Sequence, residues 1–146
     1  MLLSTLQEIF FRDINRLKSE MELYQNEADI WRIEKHISNS AGNLCLHLIG
    51  NLNAFIGAAL GNTNYVRNRA LEFSEKGVPR TELLNKIDET ILVVNQSLQQ
   101  LSEDDLKKDF PVLVFEEKTT TEFFLVHLAT HLTYHLGQIN YHRRLL

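Results

Sequence analysis

Six histidines carry the chemistry available to this chain, at positions 36, 47, 127, 131, 135 and 142. His127, His131 and His135 recur every four residues near the C-terminal end, and residues four apart on a helix lie one above the other on one face. An H-x-x-x-H pair on adjacent turns can present two imidazoles to a single metal ion. The pair His131 and His135 sits among Leu128, Leu132, Leu136 and Ile139, so its setting is apolar. Burying neutral imidazoles there is unfavourable unless both ring nitrogens find partners. An ion supplies one partner and a neighbouring polar group the other. Three rings over two turns extend about 12 Å, too far for one ion to hold both ends. His127 is therefore expected in the pocket wall or behind the ligands, and Gln138 extends the same stripe. His36 and His142 fall near element ends and are expected to be surface or structural residues.

His47 interrupts another apolar helical stretch, LCLHLIGNL, between Leu44 and Leu48. A core histidine that merely packs and a third metal ligand both fit that position. Cys45 is two residues away, on roughly the opposite side of the helix, and suits a small core residue. Several chemistries are excluded. The segment reads HLATH, with Ala129 and no glutamate, so the general base of an HExxH zinc protease is missing. No Glu-x-x-His occurs, against a ferritin-like di-iron bundle. Neither the phosphate-loop, the dinucleotide nor the nucleophile-elbow glycine pattern appears. No carboxylate is evident beside the histidines. Arg67 and Arg69 could hold a substrate carboxylate, although a solvated loop pair is the plainer reading.

The elements that must position these residues are helical. Leu6, Ile9, Phe10, Ile14, Leu17, Met21 and Tyr24 recur at steps of three and four, predicting a first helix from about Leu2 to Tyr24. A connector, Gln25 to Ile37, leads to Ser38 and Asn39, which offer capping groups for a second helix from about Ser40 to Leu60. Gly61-Asn62 ends it. The polar stretch from Gly61 to Pro79 is long for a loop and predicts a crossover, which would leave the second and third helices parallel. The third helix starts at Pro79 and runs to Leu101. Ser102 and Asp105 predict one capped turn. Phe110 to Phe115 reads as extended, at most a short strand. Thr119 and Glu122 have capping-box spacing for a fourth helix, from about Thr120 to near the end.

With 146 residues the expectation is a single domain, 1–146. Hydrophobic residues make up 44% and charged residues 23%, a globular balance. Fifteen basic against 19 acidic residues give a net charge of −4, so there is no basic excess to hold nucleic acid. One cysteine excludes an internal disulfide and any multi-cysteine metal site. The start, MLLSTLQEIFFRDINR, is broken early by Arg12, Asp13 and Arg16, unlike a secretory leader. No run is expected to reach the roughly 18 apolar residues of a membrane span. Together these predict a cytoplasmic protein with neither nucleic acid nor membrane as partner.

One histidine on the second helix followed by His131-x-x-x-His135-Leu136-Gly137-Gln138 on the fourth resembles the DinB superfamily of four-helix bundles. The stretches His47 to Asn53 and Asn62 to Arg69 are similar to an uncharacterised subgroup of it. The resemblance covers essentially the whole chain. It implies an all-α four-helix bundle with the long crossover between helices two and three. It also implies that His47, His131 and His135 bind one divalent ion, nickel or zinc, and that the protein is a homodimer. Some relatives transfer bacillithiol, mycothiol or glutathione.

Three neutral imidazoles leave a divalent ion with open positions, the layout of a catalytic site. Such an ion can activate water for hydrolysis or stabilise a thiolate. Transfer of a low-molecular-weight thiol to an electrophile is the first expectation. A metal-dependent hydrolase, a non-catalytic metal-stabilised stress or interaction module, and a metal-free bundle are the alternatives. No catalytic residue follows from the sequence.

Overall fold

A computed structural model describes residues 1–146. Helix α1 spans Leu2–Leu23 and buries Leu3, Leu6, Phe10, Ile14, Leu17 and Met21, the stripe its spacing predicts. Asp13 is buried with them, its carboxylate accepting from Arg12, Arg16 and Thr133. A single 3-10 turn, Glu27–Trp31, occupies the connector. Its Trp31 ring packs directly on Gly42, where a Cβ would come within 2.6 Å of the indole.

Helix α2 runs over Ala41–Gly61. Its first part, Ala41–Leu52, is buried at every residue. The cap is Ser40, rather than Ser38 or Asn39, and its Oγ accepts the Asn43 N–H at 3.1 Å. A π-helical turn follows at Asn53–Ala58. Asn62 then ends the helix in the left-handed conformation, φ 56°, as Gly61-Asn62 predicts. By length and composition α2 could cross a bilayer, with a mean hydropathy of 1.5 over 18 residues. That corrects the expectation that no run is apolar enough; here its apolar residues build the interior of the fold.

The crossover is less irregular than its composition suggests. It contains a short helix, α3, at Arg69–Ser74, capped by Asn68, whose Oδ1 accepts the Leu71 N–H at 3.2 Å. Helix α4 spans Arg80–Gln99, with Pro79 at its cap rather than in its first turn. Ser102 and Asp105 exchange the predicted capping contacts around a 3-10 turn, Asp105–Lys107. No strand forms at Phe110 to Phe115; one isolated bridge pairs Asp109 with Thr120. That bridge takes the chain up to Thr120, and so Thr120 rather than Thr119 caps helix α5, Thr121–Leu145.

Contacts along the helices give their directions. Asn53 meets Thr90, and Gly57 and Gly61 lie against Val93 and Ser97, so α2 and α4 are parallel. Lys18 pairs with Asp88, and Arg80 reaches the Glu22 carbonyl, so α1 and α4 are antiparallel. Asp13 meets Thr133 and Glu20 meets Asn140, so α1 and α5 are parallel. The bundle is thus up-down-down-up, with the long crossover between its second and third long helices. Thirty-one buried apolar residues form one cluster along its axis, each large side chain contributing roughly 1.5–3 kcal/mol of burial free energy.

Candidate metal centre

Helices α2 and α5 are antiparallel where they pack, since Phe55 stacks near Phe124 while His47 lies beside His131 and His135. The structure brings those three histidines together. His131 Nε2 is 3.2 Å from His47 Nε2 and 3.2 Å from His135 Nε2, and the three ligand atoms all lie within 4.8 Å of one another. An ion with Zn–N bonds of about 2.0–2.1 Å in tetrahedral geometry sets its ligand nitrogens roughly 3.3 Å apart. The two 3.2 Å spacings about His131 fit a metal.

The outer ring nitrogens fix the proton positions. His47 Nδ1 is 3.0 Å from Glu72 Oε1, an acceptor, so its proton is on Nδ1 and its Nε2 lone pair points inward. His135 Nδ1 is 2.7 Å from Gln138 Oε1, with the same consequence. Two inward lone pairs face one another across His131, whose single Nε2 could donate to only one of them. A hydrogen-bonded histidine cluster would leave this centre frustrated, whereas a cation satisfies all three lone pairs at once. His131 Nδ1 is buried and has no partner.

Glu72 is the residue that the sequence concealed. It comes from α3, is itself buried, and takes a two-point contact from Arg67, Nε to Oε2 at 2.9 Å and Nη2 to Oε1 at 3.0 Å. A carboxylate does stand beside the histidines, contrary to expectation, but on the outer side of His47. Arg67 is mostly buried and fully engaged with Glu72, so it is not a solvated loop charge. Arg69 stacks over Phe73, which itself packs on the His47 ring. Gly50 makes room for Glu72: a Cβ there would lie 1.9 Å from its Oε2. A glycine one turn beyond His47 inside an apolar helix was the available signal of a close approach.

The remaining histidines separate cleanly. His127 packs against Phe115 and Phe124 with its ring 6.3 Å from that of His131, outside the trio. His142 ties α5 to the first connector, through Tyr24 Oη at 2.7 Å and the Arg32 carbonyl at 2.8 Å. His36 is exposed. Cys45 is fully buried in the core, where burial pushes its thiol up to about 12.

Burial, reinforced by the neighbouring imidazoles, holds His131 down to about 4, and burial also lowers His47 despite the opposing pull of Glu72. These rings are neutral at neutral pH, the state that binds a cation. Their values lie below the ordinary 6.5, so between pH 6.5 and 4 the unfolded chain takes up protons that the folded chain refuses. Stability of the metal-free protein must then fall as pH drops through that window. Thermal melts at steps from pH 7 to 4.5 should show the decline, and His131→Leu should flatten it.

A cleft of about 740 Å³ reaches the centre at His135 and Gln138 and is otherwise bounded by Lys35, His36, Leu44 and Tyr134 among others. No fourth histidine, cysteine or carboxylate joins the three histidines. Among curated proteins none matches the chain. The family described as a protein of unknown function, DUF1572, matches residues 3–146, and the chain therefore belongs to that family.

Proposed function

We propose that this is a DinB-like enzyme in which His47, His131 and His135 hold one divalent ion, nickel or zinc, and that it transfers a low-molecular-weight thiol to an electrophile. The observation that carries the reading is the three-nitrogen centre without a fourth protein ligand, beside a cleft large enough for a small molecule. When bound, the ion would supply Lewis acidity, lowering the pKa of a thiol so that the thiolate is the attacking species. The protein's own groups do the rest. Glu72 and Gln138 orient His47 and His135 and keep their protons on Nδ1. Phe73 packs on the His47 ring and shields that side of it from water. The position of Glu72 favours thiol transfer over hydrolysis: its oxygens are spent on Arg67 and His47 Nδ1, which leaves no free carboxylate to take a proton from water. The DinB-like resemblance supports a homodimer, and the sequence a cytoplasmic protein.

The test is an assay of the purified protein, reconstituted with zinc or nickel, against a panel of thiols and a chromogenic electrophile. The expected result is a metal-dependent rate that disappears on chelation. Stoichiometric metal without any such rate would leave a metal-stabilised, non-catalytic module as the better reading.

A further inference from the structure

Two buried polar atoms near the centre lack any partner, and they are chemically complementary. One is His131 Nδ1 and the other is Asn51 Oδ1. Asn51 is 7% exposed on the most buried stretch of α2 and its side chain makes no hydrogen bond. An unsatisfied buried amide is expensive, on the order of 1–3 kcal/mol, and calls for an explanation. Asn51 lies one turn beyond His47 on the same helix face. The antiparallel packing sets His47 between His131 and His135, ring centroids 5.1 and 5.3 Å away, and so sets Asn51, one turn on, between His127 and His131. Arg67 covers the same stretch of α2, with Nη2 3.3 Å from His47 Nδ1 and its guanidinium 5.6 Å from the Phe55 ring. Asn51 is therefore buried next to the trio, and neither its Oδ1 nor His131 Nδ1 has another partner.

We infer that Asn51 is the positioning residue for His131, its Oδ1 accepting the Nδ1–H when His131 Nε2 is committed to the ion. This rests on the three-histidine reading. A neutral imidazole has one proton, and if Nε2 gives its lone pair to a cation the proton must be on Nδ1. That N–H is buried and needs an acceptor. Glu72 already serves His47 and Gln138 serves His135. Asn51 completes the set, so that each ligand is held from behind by its own side-chain oxygen, one on α3, one on α5 and one on α2. The unpartnered pair is the signature of a network that closes only around the cation.

The test uses zinc, which is diamagnetic, with the full-length protein and the variants Asn51→Leu and Asn51→Asp. Leucine keeps the volume and removes the acceptor; aspartate keeps the acceptor. Zinc affinity is read by competition with a chromogenic chelator. The His131 tautomer and Nδ1–H resonance are read by long-range 1H–15N correlation of the imidazoles. Zinc affinity is expected to fall by about 10- to 100-fold in Asn51→Leu and to be restored in Asn51→Asp. A protected His131 Nδ1–H signal is expected in the zinc-loaded wild type and in Asn51→Asp, and is lost in Asn51→Leu. Unchanged affinity and signal in Asn51→Leu would overturn the role of Asn51 while leaving the three-histidine centre standing. A wild type that takes up no zinc overturns both. Should Asn51→Leu fail to fold, Asn51→Asp decides: a downfield move of the His131 Nδ1–H supports the contact, and an unmoved resonance overturns it.

Discussion

Replacing His131 by alanine abolishes stoichiometric binding of zinc or nickel, while replacing His142 leaves it intact. His131 is the shared vertex of the centre, its Nε2 3.2 Å from both of the other two. Its removal leaves two imidazoles from different helices and no third ligand. Zinc sites with protein ligands depend on three or four donors, so the loss is of the whole site rather than a graded weakening. His142 is the matched control on the same helix. Both of its ring nitrogens are engaged with Tyr24 and Arg32. His142→Ala should therefore destabilise the fold by about 1 kcal/mol through loss of its contact with the buried Tyr24 hydroxyl and retain one metal per chain. Elemental analysis after reconstitution and gel filtration reads both variants. Metal retained by His131→Ala and lost by His142→Ala would show that the ligands are displaced along α5.

The second large effect is expected at Glu72. Glu72→Ala removes the acceptor for His47 Nδ1 and both contacts of Arg67. Breaking a buried pair from one side is strongly destabilising because the surviving charge is stranded. Arg67, at 17% side-chain exposure, is long enough to turn its guanidinium toward water. We therefore expect about 2–3 kcal/mol, below the upper range for fully enclosed pairs, and a fall in Tm of about 5–10 °C. Metal affinity should drop by about 10- to 100-fold as His47 loses its orientation. Glu72→Gln keeps an acceptor oxygen and should recover most of the metal affinity but only part of the stability. Denaturant unfolding and zinc titration of the same two variants separate the contributions. Equal zinc affinity in wild type and Glu72→Ala would mean that His47 needs no support from α3.

The four long helices were legible because each carries an unbroken apolar stripe at steps of three and four, as from Leu6 to Met21 in α1. The crossover was legible from length alone, since a polar stretch from Gly61 to Pro79 had no place between hairpin partners. What composition could not reveal was a helix as short as α3. Six residues offer too few turns for a periodic pattern, and Glu72 and Phe73 within it read as ordinary surface residues. Only the third dimension discloses that Gly50 vacates the space into which Glu72 is inserted. The histidine pair on α5 could be read from spacing, whereas the inclusion of His47 depended on resemblance until the antiparallel packing of α2 against α5 was seen. Capping positions were displaced by one or two residues at α2, α4 and α5, because neighbouring contacts such as the Asp109–Thr120 bridge decide which of several adjacent hydroxyls faces the first turn.

The crossover has a kinetic corollary. His47 and His131 are 84 residues apart along the chain, with α3 and all of α4 between them. A cation joined to both closes a large ring that the denatured chain has little tendency to form, since ring closure grows more unfavourable with the logarithm of its length. The denatured chain retains only the local pair on α5, so the cation favours the native state by mass action. Separation of α2 from α5 then requires the ion to leave first. Metal uptake should lengthen the lifetime of the native protein by slowing its opening far more than it speeds its formation. Resistance to proteolysis, and with it the rate of turnover, would thus follow the supply of the ion.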